Sequence, residues 1–290
     1  MRWIADGEDW TTARTQRAQR RYACVFCGDS IRAGQSYARW GTETAHYACA
    51  PGLGAPTYRA SDWTSPAVGS YSLIGGREEN QDAMAWHGRA DRVRLMVCDG
   101  LGGHRGGREA AQTAVAGVEA PGAPVEVVQA VDAAVRAAGP GGTTFCMAEV
   151  LRTAPHAGVG EGRAVRFTQV GDSTAWLRRV QSGKSGVWKD EVRGRTVRQG
   201  QGCIVYACLG TPNGRFCADP TVTSFVASPG DIVVVHTDGV DLAVEQKEWA
   251  ARFASRFGRT SIDEVAAEMA ERAAALGSTD NATVLVFVVP

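Results

Sequence analysis

Four apolar stretches of this chain meet an aspartate at one end, and that repeated arrangement limits its fold more than any other feature. The run Val93 to Cys98 stops at Asp99-Gly100, continues through Leu101-Gly102-Gly103-His104, and gives way to an Ala-rich helical pattern. A strand ending in a Gly-rich turn places its last residue at the tip of a buried element. The pattern recurs at Gly171-Asp172-Ser173 and at Thr237-Asp238-Gly239, which follows Asp231-Ile-Val-Val-Val-His236, and Asp280-Asn281 opens the last strand-like run. Carboxylates gathered at buried strand ends repel one another unless they are paired or metal-bound. Divalent cations are the economical way to neutralise them.

The remaining composition narrows the setting. Formal net charge is zero, so no whole-molecule attraction to nucleic acid or anionic membrane is implied. Residues 1–60 are mildly basic, with 8 Lys+Arg against 5 Asp+Glu. The first residues lack a continuous apolar segment, and no stretch approaches the ~18 apolar residues of a membrane span. A cytoplasmic protein with no membrane segment is expected. The eight cysteines are then expected to be reduced. Cys98, Cys146, Cys203, Cys208 and Cys217 lie in or beside apolar strands and read as small buried hydrophobes.

The other three cysteines stand apart. Cys24-Val-Phe-Cys27-Gly28 is followed by His46-Tyr-Ala-Cys49, giving C-x2-C-x18-H-x2-C. Gly28 permits the tight turn of a zinc knuckle, and four such ligands close a tetrahedral structural Zn²⁺ site. The spacing resembles zinc-ribbon and treble-clef modules, with that of a LIM half-site and some likeness to PARP-type fingers. Unligated thiols are the alternative, but a core this small needs a metal to hold together. A zinc-finger domain over 1–58 is therefore expected, with Tyr37, Trp40 and Tyr47 packing it. Its basic residues are too scattered for nucleic acid, so its partner would be protein. Pro51-Gly-Leu-Gly-Ala-Pro56 marks the boundary.

Beyond it, alternation from Gly69 to Gly75 and from Asp82 to Trp86 predicts two strands, and Thr143–Leu151, Ala164–Val170 and Ser173–Val180 predict three more. Ala110, Ala111, Ala114, Val115 and Val118 repeat at helical spacing. Pro124 opens a second helix whose Val128, Val131 and Val135 share a face before Gly139-Pro140 stops it. Ser261 and Glu264 form a capping box for a third, with Ile262, Val265, Ala266 and Met269 on one face. Strands and helices come in blocks rather than strict alternation, which favours antiparallel sheets flanked by helices over a parallel α/β fold.

Arg77-Glu-Glu-Asn-Gln-Asp82, Asp99-Gly-Leu-Gly-Gly-His104, Gly142-Thr143-Thr144, Gly171-Asp172-Ser173, Asp238-Gly239 and Asp280-Asn281 occur in the order found in the PP2C (PPM) family of metal-dependent serine/threonine phosphatases. Residues 66–290 resemble its bacterial form. The resemblance implies an α+β fold, a four-layer αββα sandwich. It also implies hydrolysis of phosphoserine and phosphothreonine by a metal-bridging hydroxide, without a phosphoenzyme. By the same match Asp99 would bridge two Mn²⁺ or Mg²⁺ ions, Gly100 would offer its carbonyl, Asp238 and Asp280 would hold the second ion, and Asp82 would support the water shell. Asp172 matches the ligand of a third ion, and Arg77 would bind the substrate phosphate through its planar fork. The implied partner is a phosphoprotein, opposing a Ser/Thr kinase.

Two departures bear on mechanism. Eukaryotic relatives carry Glu at the place of Gln81 and His at that of Leu101, so the general-acid histidine of that branch has no counterpart and water must protonate the leaving alkoxide. His104, after Gly-Gly at a helix start, reads as structural rather than as a replacement acid. Between Val180 and Leu209, where bacterial relatives carry a helical flap, the chain is short and Gly-rich, which puts substrate selection by a flap in doubt. The alternative function is a catalytically weak member of the fold acting as an adaptor through its zinc finger.

Overall fold

The computed structural model describes residues 63, 66, 68–101, 106–152, 163–178, 207–210, 220–244 and 261–290 in full, and the backbone of short strands within 14–46 and 189–205. The chain divides into two compact units, residues 1–59 with 252–261, and residues 60–251 with 262–290.

In the first unit β1 (Arg14–Arg17), β4 (Ser36–Trp40) and β5 (Glu43–His46) form an antiparallel sheet in the order β1-β4-β5. The strands β2 (Tyr22–Ala23) and β3 (Ser30–Ile31) pair separately. His46 ends β5, and the side chains of the expected zinc ligands Cys24, Cys27, His46 and Cys49 lie outside the described residues.

The second unit is built on two five-stranded antiparallel sheets. The first runs β15 (Thr221–Ala227), β10 (Arg163–Val170), β9 (Phe145–Leu151), β8 (Arg92–Asp99), β7 (Asp82–Arg89). The second runs β12 (Lys189–Val192), β11 (Thr174–Arg178), β16 (Ile232–His236), β17 (Ala282–Val288), β6 (Val68–Leu73). A further hairpin joins β13 (Thr196–Gln199) to β14 (Gly202–Val205). Strand alternation sorts the core. Val93, Leu95 and Val97 of β8 face inward, where they pack with Cys146, Phe167, Leu177, Val233, Val235 and Leu285. Met96 and Cys98 face outward and lie under helices α1 (Gly107–Val115) and α2 (Pro124–Ala138). Both faces of β8 are covered, so it reads as a nearly continuous apolar run.

Helix α2 begins as expected at Pro124, and the Glu126 carboxylate accepts the Ala123 N–H at 2.8 Å. Its Val127, Val128, Val131 and Val135 are buried. After the short α3 (Asp241–Val244), helix α4 (Ile262–Ala275) buries Ile262, Val265, Ala266 and Met269 against β6 and β17. Helices therefore flank both sheets, and no helix among the described residues is long and apolar enough to cross a membrane.

Three local expectations need adjusting. Thr143 and Thr144 precede β9 rather than belonging to it, because Thr143 is engaged in isolated bridges to Gly100 and Leu209. The stretch after Val180 carries strands β12 to β14, where the sequence suggested only a short Gly-rich connection. Arg94, inside the apolar run of β8, is only 4% exposed. It pairs with Glu149, itself 1% exposed, at 2.9 Å, and donates to the carbonyls of Ala120 and Gly122. Arg92 and Arg166 bind the same carboxylate at 3.1 and 3.3 Å. Cys98, Cys146 and Cys208 are buried free thiols.

Candidate metal centre

Antiparallel pairing delivers the aspartates to one end of the two sheets. Asp82 opens β7 directly opposite Asp99, which closes β8. Asp172 precedes β11, whose Thr174 pairs with His236 at the end of β16, and Asp238 follows two residues later, after Thr237. Asp280 precedes β17, the neighbour of β16 on its other side.

Asp99, Asp172 and Asp238 each offer a carboxylate oxygen within 4.8 Å of the others. Hydroxyls and amides of Gly142-Thr143-Thr144 set this geometry. The Thr144 hydroxyl accepts the Asp99 N–H at 2.9 Å, the Thr144 N–H and the Thr143 hydroxyl both donate to the Asp99 carbonyl at 2.8 Å, and Thr144 Oγ1 lies 2.7 Å from Ser173 Oγ. Asp99 and the loop carrying Asp172 are thus fixed by one residue. A Cβ on Gly100 would sit 2.3 Å from the Gly107 carbonyl oxygen, and one on Gly239 only 1.9 Å from that of Asn281. Only glycine lets these turns close over the site.

Asp82 stands beside the cluster, its Oδ2 accepting the Thr237 hydroxyl at 2.8 Å. Asp280 receives Arg77 at 2.7 Å and its own neighbour's N–H, from Asn281, at 2.9 Å. Asn281 ties the segment carrying Arg77 to β17, since its amide donates to the Ile74 and Glu79 carbonyls at 2.8 and 3.0 Å and accepts the Gln81 N–H at 2.9 Å. His104 lies outside the described residues.

The electrostatics are those of carboxylates forced together. Burial is the main cause that raises Asp99 well above the ordinary carboxylate range, and Asp82, Asp238, Asp172 and Asp280 add to it. Asp238 is pushed up to about 7, first by burial and then by Asp172, Asp280 and Asp82. Asp82 rises to about 6, mainly through burial, with hydrogen bonds from Thr283 and Thr237 pulling the other way. Asp172 is raised too, by burial and then Asp280, against its own backbone hydrogen bond. Oδ1 of Asp82, of Asp172 and of Asp238 is buried without a hydrogen-bond partner among the described residues. Buried orphan oxygens of like charge fit a divalent cation, and an all-carboxylate set suits a hard ion such as Mg²⁺ or Mn²⁺.

Two residues at the site carry no motif of their own. His236 is wholly buried, its Nε2 accepts Trp176 Nε1–H, and its Nδ1 lies 2.9 Å from the Thr237 carbonyl. Burial holds its pKa down to about 4, so it is neutral and donates from Nδ1. Thr237 itself bridges Asp82 and the N–H of Thr283. A hydroxyl directly before Asp-Gly was the available signal for it.

No family model and no curated protein sequence matches this chain. Solved structures do. A Mycobacterium tuberculosis serine/threonine phosphatase, PstP/Ppp, is 22% identical, with a TM-score of 0.57 over 77% of this chain and 97% of that one. The S. agalactiae serine/threonine phosphatase is 18% identical, with a TM-score of 0.58 over 76% of this chain and 98% of that one. A sex-determining protein of C. elegans is 15% identical, with a TM-score of 0.59 over 79% of this chain and 66% of that one. At these identities the likeness carries the fold: the second unit has a PP2C-like α+β fold, two antiparallel sheets flanked by helices.

Proposed function

We propose that this chain is a metal-dependent phosphomonoester hydrolase acting on phosphoserine and phosphothreonine in proteins. The observation that carries the reading is the convergence of the half-buried Asp99, Asp172 and Asp238 at the strand ends of a PP2C-like fold, with the buried Oδ1 of Asp172 and of Asp238 lacking a hydrogen-bond partner among the described residues. Asp99 and the Gly100 carbonyl, with Asp238 and Asp280, would hold two Mn²⁺ or Mg²⁺ ions, and Asp172 would contribute to a third. Such ions, when bound, lower the pKa of a water and neutralise charge on the phosphoryl oxygens. The chain's own groups do the rest. Asp82 presents an acceptor oxygen that orients a water for in-line attack. Arg77, half exposed at the rim, engages the phosphate through its planar fork. The water oxygen bonds to phosphorus as the ester oxygen leaves; the attacking water gives up a proton to solvent, and the leaving alkoxide takes one from it. No phosphoenzyme is required.

The N-terminal unit would hold one structural Zn²⁺ through Cys24, Cys27, His46 and Cys49 and would serve to bind protein. Elemental analysis tests this part by itself: stoichiometric zinc in the wild type, lost in Cys27→Ser, is the expected result. The catalytic reading is tested by assaying the full chain on phosphoserine and phosphothreonine peptides with Mn²⁺, with Mg²⁺ and with chelator. Metal-dependent release of phosphate supports it, and release unaffected by chelation contradicts it.

A further inference from the structure

Thr237 lies between β16 and the turn that begins at Asp238, and its side chain is wholly buried. The Thr283 N–H donates to its Oγ1 at 3.0 Å, and the hydroxyl donates to Asp82 Oδ2 at 2.8 Å. The directions are fixed by chemistry, because a backbone amide can only donate and an ionised carboxylate can only accept. Thr237 directly follows β16 and Thr283 lies in β17, both strands of the second sheet, whereas Asp82 opens β7 of the first, so this hydroxyl carries a bond from one sheet to the end of the other beside the aspartate cluster. With Oδ2 engaged, the buried Oδ1 is the oxygen of Asp82 that has no hydrogen-bond partner among the described residues.

We propose that Thr237 is a positioning residue that fixes the Asp82 carboxylate in the orientation the metal centre uses, and that it acts through its hydroxyl rather than its bulk. The inference rests on reading the cluster as a metal centre and extends it to a residue that touches neither ion nor substrate. His236 supports the arrangement by holding the Thr237 carbonyl. Outer-shell hydrogen-bond partners that fix the groups around a metal site, including those that hold its waters, are worth about 10–100-fold in metal affinity or activity.

The test is calorimetric titration of the metal-free full chain with Mn²⁺, so that the readout is binding and not turnover. Thr237→Val should weaken Mn²⁺ binding by about tenfold, and Thr237→Ser, which keeps both hydrogen bonds, should restore it. In an Asp82→Asn background, Thr237→Val should add little further loss, because the partner it acts through is already altered. Should the valine variant not fold, Thr237→Ala takes its place in the same cycle. A serine variant as weak as the valine one would overturn the role of the hydroxyl. A loss retained in full beside Asp82→Asn would overturn the route through Asp82. Absence of Mn²⁺ binding in the wild type would instead overturn the metal reading itself, and the inference with it.

Discussion

Arg77 Nη2 donates to Asp280 Oδ2 at 2.7 Å, so the side chain read as the phosphate clamp and one read as a metal ligand share a hydrogen bond. Both are partly solvent-exposed, at 50% and 39%. Ion pairs of that exposure are worth about 0–1 kcal/mol, too little to hold the arginine from a phosphate dianion. The segment bearing Arg77 is meanwhile pinned from below by Asn281.

Arg77→Ala should therefore raise KM for a phosphate ester by about tenfold while changing the Mn²⁺ dissociation constant by no more than about fivefold, the equivalent of the exposed pair. Steady-state kinetics beside calorimetric metal titration checks this. A metal shift as large as the KM shift would remove Arg77 from the substrate and place it among the groups that shape the metal site.

The raised carboxyl pKa values make a second prediction, about stability. Unfolded aspartates titrate near ~3.9, whereas native Asp82 and Asp238 do so at about 6 and about 7. Between those values the native state holds more protons than the unfolded chain, so the cluster's contribution is full below the unfolded value and is lost as pH rises through about 6 to 7. Metal-free Asp238→Asn should thus melt several degrees above metal-free wild type at about pH 8, with the gap closing near pH 4. Mn²⁺ should raise the wild-type Tm more at about pH 8 than at about pH 5, since it competes with those protons. Thermal melts across pH, with and without chelator, decide it; a gap independent of pH would contradict the electrostatic picture.

A third prediction concerns the far end of the same sheet. Glu149 binds Arg92, Arg94 and Arg166, and Arg94 is buried beneath the turn at Ala120–Gly122. Removing one partner of a buried pair leaves an uncompensated charge and costs about 3–5 kcal/mol. Glu149→Ala should lose stability of that order in urea unfolding while leaving the activity per folded molecule intact. A loss below about 1 kcal/mol would mean that the Arg94–Glu149 pair contributes no more than an exposed ion pair.

What could be read from the sequence, and what could not, follows from how local each signal is. The strand-end aspartates, the glycines at 100 and 239, and the Pro124 helix start are each encoded within a few residues, and the structure places them as those residues suggest. Arg94 was hidden inside an apolar run because its partner, Glu149, is 55 residues away and only sheet pairing brings them together. Thr237 and Asn281 act across separations of 155 and 200 residues, to Asp82 and Gln81, and hydroxyls or amides of this kind have no pattern until their partners are known. Strands β12 to β14 are only four residues each, shorter than the periodicity needed to announce them.

Whether the aspartate cluster is a catalytic metal site is decided by Mn²⁺-dependent hydrolysis of an aryl phosphate by the wild-type chain and by Asp238→Asn, with circular dichroism on the same samples. Chelator should abolish wild-type turnover, and kcat/KM should fall by at least about 100-fold in the variant with its fold unchanged. Activity in Asp238→Asn within a few-fold of wild type, or wild-type turnover indifferent to chelator, would contradict a catalytic metal site.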